Sequence, residues 1–247
     1  MTLKLLSYNI RYGGGGREAQ LAEVIRTVAP DVVMFQEATD PRAIERIARE
    51  TGMGTWAARM GYSTGFASRL EIARHEWHRP PGGRHPFLEV VPAGLDVRIY
   101  GLHLSAVHSR WTERRRVREL RSLLGLLAQH EGSFHVLTGD FNTLAPGELL
   151  DTRRLPRRLQ ALVWLSGGSI RWETIQMMLD GGFVDGYRML HPGDRGYTFP
   201  TWDPHVRLDY VFVPAAFAGR LKTCQVVEDG APSASDHFPL LAQIEVG

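Results

Sequence analysis

The chain is short of most features that would assign it a class at once. It has one cysteine, Cys224, in 247 residues, so no intramolecular disulfide can form, and this usage fits a reducing cytoplasm. Long apolar runs are missing: stretches such as Asp31–Phe35 and Leu123–Ala128 are far too short to span a bilayer, so no integral membrane segment is expected. The opening Met-Thr-Leu-Lys lacks the basic region, apolar run and small-residue cleavage site of a secretory signal. Charge of one sign is scarcely in excess, with 29 Lys and Arg against 27 Asp and Glu, so affinity for a polyanion has to come from local clusters. Gly-x-Ser-x-Gly is absent, and Ser235 beside Asp236 and His237 lacks the elbow context of a serine hydrolase. Gly13–Gly16 has neither the Lys-Ser/Thr of a P-loop nor a dinucleotide spacing, so a flexible loop is expected there.

What is present is an ordinary globular balance, 43% hydrophobic and 23% charged, which argues against disorder. No repeat or long linker divides the chain, and its length suits one large domain over 1–247. Leu3–Ile10 and Asp31–Phe35 have the composition of buried strands, with helical spacing of Leu21, Val24, Ile25 and Val28 between them. Asp40-Pro41 is a helix start and Gly52 its stop. Pro80-Pro81-Gly82-Gly83 predicts a loop between sheet strands. Further strands are predicted at Val97–His103, Phe134–Thr138, Val206–Val213, Cys224–Glu228 and Leu240–Val246. Thr112–His130 is a long helical segment with Val117, Leu120, Leu124 and Leu127 along one side; Leu155–Leu165 and Ile170–Leu179 are also helical. Interspersed helices and strands, with strands dominating the end, favour a mixed α/β or α+β sandwich over a purely parallel sheet.

The informative pattern is where polar residues fall. Asn9 ends a strand, Glu37 follows another, His103 ends a third, and Asp140 with Asn142 follow a fourth. Asp209 lies within a strand, and Asp236-His237 just precedes the last. One such residue means little, because Asp and Asn are common turn formers, but a succession at strand ends is how a sheet builds a site from distant sequence. Carboxylate and amide oxygens suit Mg²⁺ or Mn²⁺, whereas zinc would want more His or Cys.

The segments SYNIRYG, FQE, GLHLS, LTGDFNT, RLDYVFV and SDHFPL, in this order from residue 7 to residue 240, resemble the endonuclease/exonuclease/phosphatase superfamily. The resemblance implies two packed mixed β-sheets flanked by helices, a four-layer sandwich, and divalent-metal-dependent hydrolysis of phosphodiesters by in-line attack of water. It implies Glu37 as the main metal ligand, with Asn9 beside it bonding metal or phosphate and Asp236 linked to the metal. Asp140 would activate the water, Asn142 would hold a phosphate oxygen, and His237 would contact the phosphate, oriented by Asp209. His103 matches a second histidine of the deoxyribonuclease branch, and Arg11 resembles a substrate-contacting arginine there. The acidic partner of His103 stays open between Glu71 and Glu89.

Phe199 and Trp202 stand just before RLDYVFV, where stacking on substrate and hydrophobic packing are equally expected. His75, His78, His85, His130 and His135 have no motif around them and are expected in surface or structural roles, and Trp164 with Met177-Met178 in the core. Six arginines between Arg110 and Arg121, and Arg153, Arg154, Arg157 and Arg158, are candidates to steer a phosphate-rich substrate, although a solvated helix face explains most of them individually. Nucleic acid, DNA or RNA, is the favoured substrate. The alternatives are a phospholipid headgroup or small phosphoester and, from another class, a catalytically silent binding module.

Overall fold

The computed structural model describes residues 1–106, 109–130, 132–154, 157–165 and 171–247. The first half of the chain forms β1 (Thr2–Asn9), α1 (Glu18–Val28), β2 (Val32–Gln36), α2 (Pro41–Glu50), β3 (Thr55–Ala57), β4 (Thr64–Ser68), β5 (Ile72–His78), β6 (Phe87–Pro92), β7 (Arg98–His103) and α3 (Arg110–Leu127). The second half adds β8 (His135–Asp140), α4 (Arg157–Leu165), α5 (Glu173–Asp180), β9 (Phe183–Asp185), α6 (Gly186–Leu190), β10 (Asp209–Pro214), β11 (Leu221–Val226), α7 (Ala231–Ala234) and β12 (Leu240–Glu245). Asp40 caps α2 by accepting from the Arg42 N–H, as Asp-Pro predicts. The Pro80–Gly83 stretch is the turn between β5 and β6, also as predicted. The expected helix starts at Leu155 and Ile170 lie outside the described residues.

The strands make two six-stranded mixed sheets, in the orders β11-β12-β1-β2-β4-β3 and β5-β6-β7-β8-β10-β9. Each contains one parallel pair joined through a helix, β1–β2 by α1 and β7–β8 by α3, and the other pairs are antiparallel.

Alternation along each strand sorts the side chains into layers. Leu3, Leu5, Val32 and Met34 meet Val90, Ile99, Val136 and Val211 between the sheets. The opposite rows go outward: Leu6, Tyr8, Val33 and Phe35 pack on Leu21, Val24 and Ile25 of α1 and Ile44 and Ile47 of α2. Tyr100, Leu102, Leu137 and Phe212 pack on Leu120 and Leu123 of α3 and Ile175 and Met178 of α5. Each large apolar side chain buried this way contributes about 1.5–3 kcal/mol. Apolar rows on both faces of both sheets leave a four-layer α/β sandwich as the arrangement that buries them, as expected.

Two packing expectations fail. Trp164 is 76% exposed on α4 and is not core, although Met178 is buried. On α3 the buried line is Leu120, Leu123 and Leu127, joined by Glu113, Arg116 and Glu119. Arg116 is therefore not part of a solvated basic face. Its guanidinium pairs with Glu113 at 2.7 Å, both 1% exposed. Glu113 also accepts from the Thr174 N–H at 2.7 Å and the Thr143 hydroxyl at 3.2 Å, so one buried carboxylate ties α3 and α5 to the segment after Asn142. Removing one partner of such a pair costs roughly 3–5 kcal/mol, because it strands the other charge.

Candidate active site

The inner rows do not stop at the apolar core. Extending each by steps of two carries Leu3 and Leu5 on to Asn9, Ile99 to His103, Val136 to Asp140, and Val211 back to Asp209. Strand register then lines them up. His103 is opposite Asp140 in the β7–β8 pair, and Asp209 is opposite Asp140 in the β8–β10 pair. Asn9 reaches across from the other sheet, its Nδ2 donating to Asp140 at 3.0 Å. Gly139 makes this register possible. At φ +142° a Cβ there would lie 2.0 Å from the Leu102 carbonyl, so only glycine lets β8 approach β7 beside Asp140.

Asp140 is the hub, 2% exposed. One carboxylate oxygen accepts from the Asn142 N–H at 2.8 Å. The other faces His103 Nε2 at 3.7 Å and His237 Nε2 at 3.9 Å. Burial pushes its pKa up to about 7, against the pull of His237.

The two histidines are similarly enclosed, yet one is held positive and the other neutral. His237 Nδ1 donates to Asp209 at 2.9 Å. Burial alone would favour neutral His237, but the charge and hydrogen bond of Asp209 override it and hold the pKa up at about 10. His103 Nδ1 meets the Ser63 hydroxyl, with no carboxylate there, and burial leaves its pKa well below the ordinary value. Neither Glu71 nor Glu89 is its partner. Glu71 is exposed, and Glu89 is saturated by Arg74, His78, Arg98 and Tyr100.

Glu37 stands at the end of β2 with φ 57°, and Arg11, Tyr12 and Asn142 also have positive φ. Such positions cost about 1–3 kcal/mol each, and among the described non-glycine residues only Ala29 has positive φ elsewhere. The Glu37 carboxylate accepts from the Tyr12 N–H at 2.6 Å and from Asn9 Nδ2 at 3.5 Å, and makes no ion pair among the described residues. Gly13–Gly16 is not the flexible loop expected. Gly13 and Gly14 are buried in a 3-10 turn, and the Gly13 N–H donates to the Glu37 carbonyl at 2.9 Å. Arg17 fastens the turn by donating to the carbonyls of Ile10, Arg11 and Ala234. Asp236 pairs with Arg11 Nε at 3.3 Å, and the Ser235 hydroxyl donates to the Asn9 carbonyl at 2.7 Å.

The Phe199 ring packs tilted against His237, 4.7 Å between centroids, while Trp202 is 65% exposed and 6.3 Å from Phe199. Phe199 thus walls the site and Trp202 lies on its rim. All the motif residues converge. Ser63, Thr198, whose hydroxyl accepts the Leu208 N–H, and His85, stacked on His103, carried no sequence signal, because their partners come from other segments.

The family description "Endonuclease/Exonuclease/phosphatase family" matches residues 6–237. No curated protein matches the chain by sequence. An AP endonuclease from Archaeoglobus fulgidus is 20% identical over 98% of this chain and 99% of its own, with a TM-score of 0.77. The 3'-5' exonuclease NExo from Neisseria meningitidis is 21% identical over 98% of this chain and 100% of its own, at 0.73. TDP2 of D. rerio, complexed with a single-strand DNA product, is 18% identical over 99% of both chains, at 0.70. At these identities the structures share a fold with the chain. The family match spans almost all of it: the chain belongs to the endonuclease/exonuclease/phosphatase family, whose enzymes hydrolyse phosphoesters.

Proposed function

We propose that the chain is a divalent-metal-dependent phosphodiesterase acting on nucleic acid, a single catalytic domain working in the cytoplasm. The observation that carries this reading is Asp140, set between one charged and one neutral histidine at the end of the inter-sheet core. Asp140 takes the proton of the attacking water, and a pKa near 7 suits a base at neutral pH. His237, kept positive by Asp209, meets the phosphoryl oxygens where charge develops. His103, held at Nδ1 by the Ser63 hydroxyl, turns Nε2 toward the phosphate or the leaving oxygen. Asn142 spends one amide N–H on the Leu104 carbonyl at 3.1 Å, which aims the other at a phosphate oxygen. Arg11, Phe199 and Trp202 line the approach of substrate.

The residues fit a hard cation, Mg²⁺ or Mn²⁺. Glu37 is a half-buried carboxylate with no cationic partner among the described residues, where the charged ion-pair partners of the four carboxylates here are Arg11 and His237. Glu37 and Asp236 would hold the ion, which keeps waters and substrate oxygens for its other positions. Asn9 orients them, since its Nδ2 donates to Glu37 and Asp140 and its Oδ1 accepts the Arg11 N–H. Asp140, Asp209 and His237 also place ligand atoms within 4.8 Å of one another, but the His237–Asp209 hydrogen bond occupies that cluster. When bound, the ion neutralises phosphate charge and eases departure of the leaving oxygen.

The nucleic-acid substrate is supported by the DNA product held by the similar TDP2, and no helix among the described residues is long and apolar enough to cross a membrane. The test is a panel of single-stranded, duplex and abasic DNA, RNA, phospholipids and a chromogenic diester, each with Mg²⁺ or Mn²⁺ and with EDTA. Metal-dependent cleavage of nucleic acid supports the reading. Preference for a lipid or small ester moves the substrate class, and no turnover on any member reduces the chain to a binding module.

A further inference from the structure

The turn between β5 and β6 brings a third imidazole to the site. His85 lies parallel on His103, with ring centroids 4.8 Å apart and an interplanar angle of 0°, an offset stack. The turn is anchored on both sides of it. The Arg84 N–H donates to Glu119 at 2.8 Å, and the Pro86 carbonyl accepts from the Thr64 hydroxyl at 3.2 Å. Glu119 in turn holds the Ser105 hydroxyl at 3.1 Å, two residues beyond His103, so one buried carboxylate fixes both rings' backbones.

Held this firmly, His85 makes no hydrogen bond through either ring nitrogen among the described residues, and neither nitrogen is sealed from solvent. The nearby Glu119 carboxylate is taken up by the Arg84 N–H and the Ser105 hydroxyl. Arg84 makes no ion pair among the described residues, and Arg79 lies over the Tyr62 ring at 5.4 Å. Burial and these two arginines keep His85 neutral, with its pKa lowered to about 4. A neutral imidazole with a free N–H, on the same turn as Arg79 and Arg84 and stacked on His103 at the candidate active site, leaves donor capacity and positive charge that no anion among the described residues pairs.

We propose that His85, with Arg79 and Arg84, forms a subsite for a substrate phosphate next to the scissile one. The subsite rests on the nucleic-acid reading above. It makes the enzyme select a chain with successive phosphates over an ester with a single phosphate. His85 donates its free N–H to a non-bridging oxygen, and the arginines supply the countercharge.

The test uses ¹⁵N-histidine-labelled protein in EDTA, titrated with deoxythymidine 3',5'-bisphosphate and, separately, with thymidine 5'-monophosphate. Binding is thus read without turnover and independently of whether any nucleic acid is cleaved. The His85 ring signals should move with the bisphosphate alongside those of His237. His85→Ala should cut the preference for bisphosphate over monophosphate about tenfold, the loss of one hydrogen bond to a charged group. His85→Asn, which keeps an N–H donor, should recover part of it, with circular dichroism confirming the fold of both variants. Static His85 signals while His237 moves, absence of bisphosphate binding, or an equal loss for both ligands would overturn the subsite. An equal loss would assign His85 to holding His103 in place. Failure of the nucleic-acid reading would appear instead in the substrate panel, with these titrations unaffected.

Discussion

Asp209→Asn isolates what one carboxylate does to a buried histidine, because the site contains its own control. His103 and His237 are 9% and 5% exposed and flank the same Asp140 oxygen; they differ in what meets Nδ1, a hydroxyl from Ser63 or the carboxylate of Asp209. Without the charge on Asp209, burial should dominate His237 as it dominates His103, and its pKa should fall from about 10 to near or below 6.5. A drop of roughly 3.5 units is about 5 kcal/mol at 1.36 kcal/mol per unit, tempered by the remaining charges of Asp140 and Asp236. The stability sign follows. A folded pKa above the unfolded 6.5 stabilises fully below pH 6.5, and the gain is lost as pH rises through about 10. The variant should therefore be less stable than the parent near pH 6, and the gap should close by pH 10. Turnover at neutral pH should fall roughly 10²–10⁴-fold, since a neutral or misoriented ring no longer meets developing charge. The assays are ¹⁵N-imidazole titration of metal-free protein, denaturant unfolding at several pH values, and a turnover cycle with His237→Ala. A folded Asp209→Asn protein that keeps His237 charged above pH 8, or losses that add fully in the double variant, would refute the reasoning.

Metal dependence should localise to one residue: Glu37→Gln should raise the Mg²⁺ or Mn²⁺ needed for half-maximal turnover at least tenfold, and an unchanged titration curve would remove Glu37 from the metal. The pH profile of kcat/KM should be bell-shaped, rising as Asp140 ionises near pH 7 and falling as His237 loses its proton near 10; an acid limb near pH 4 would exclude Asp140 as the base. Gly139→Ala should destabilise by roughly 2–4 kcal/mol in urea unfolding, because the new Cβ meets the Leu102 carbonyl at 2.0 Å, and a neutral result would contradict the β7–β8 approach. On α3, neutralising the exposed Arg110 and Arg114 should flatten the fall of DNA affinity with salt by about one unit of log–log slope for each arginine–phosphate pair removed, whereas an unaltered slope would place the DNA elsewhere.

The sequence by itself determined most of the elements and which polar residues end the inner rows of the candidate site, and one physical reason serves both. A strand buried on one face repeats every two residues, so the apolar row that sets the inter-sheet core also sets which polar residue ends it. Asn9, His103 and Asp140 sit at those ends, and Asp209 at the start of its row, whatever the third dimension does. Apolar spacing likewise placed α1 and α2, and the Asp-Pro pair placed the start of α2. Spacing misplaced polar residues that need a partner. Arg116 looks like a surface arginine until Glu113 and Thr174 are brought to it, and Trp164 looks like core until α4 leaves it uncovered. Only the tertiary structure could decide that Ser63 and not a glutamate meets His103, that His85 stacks on that ring, and that Asp140 lies between one positive and one neutral histidine. Those outcomes depend on distances between side chains 28 to 131 residues apart and on how completely water is excluded from them. Local pattern carries the direction in which a side chain leaves its strand; the partner it meets, and the charge it then holds, are properties of the packed sheets.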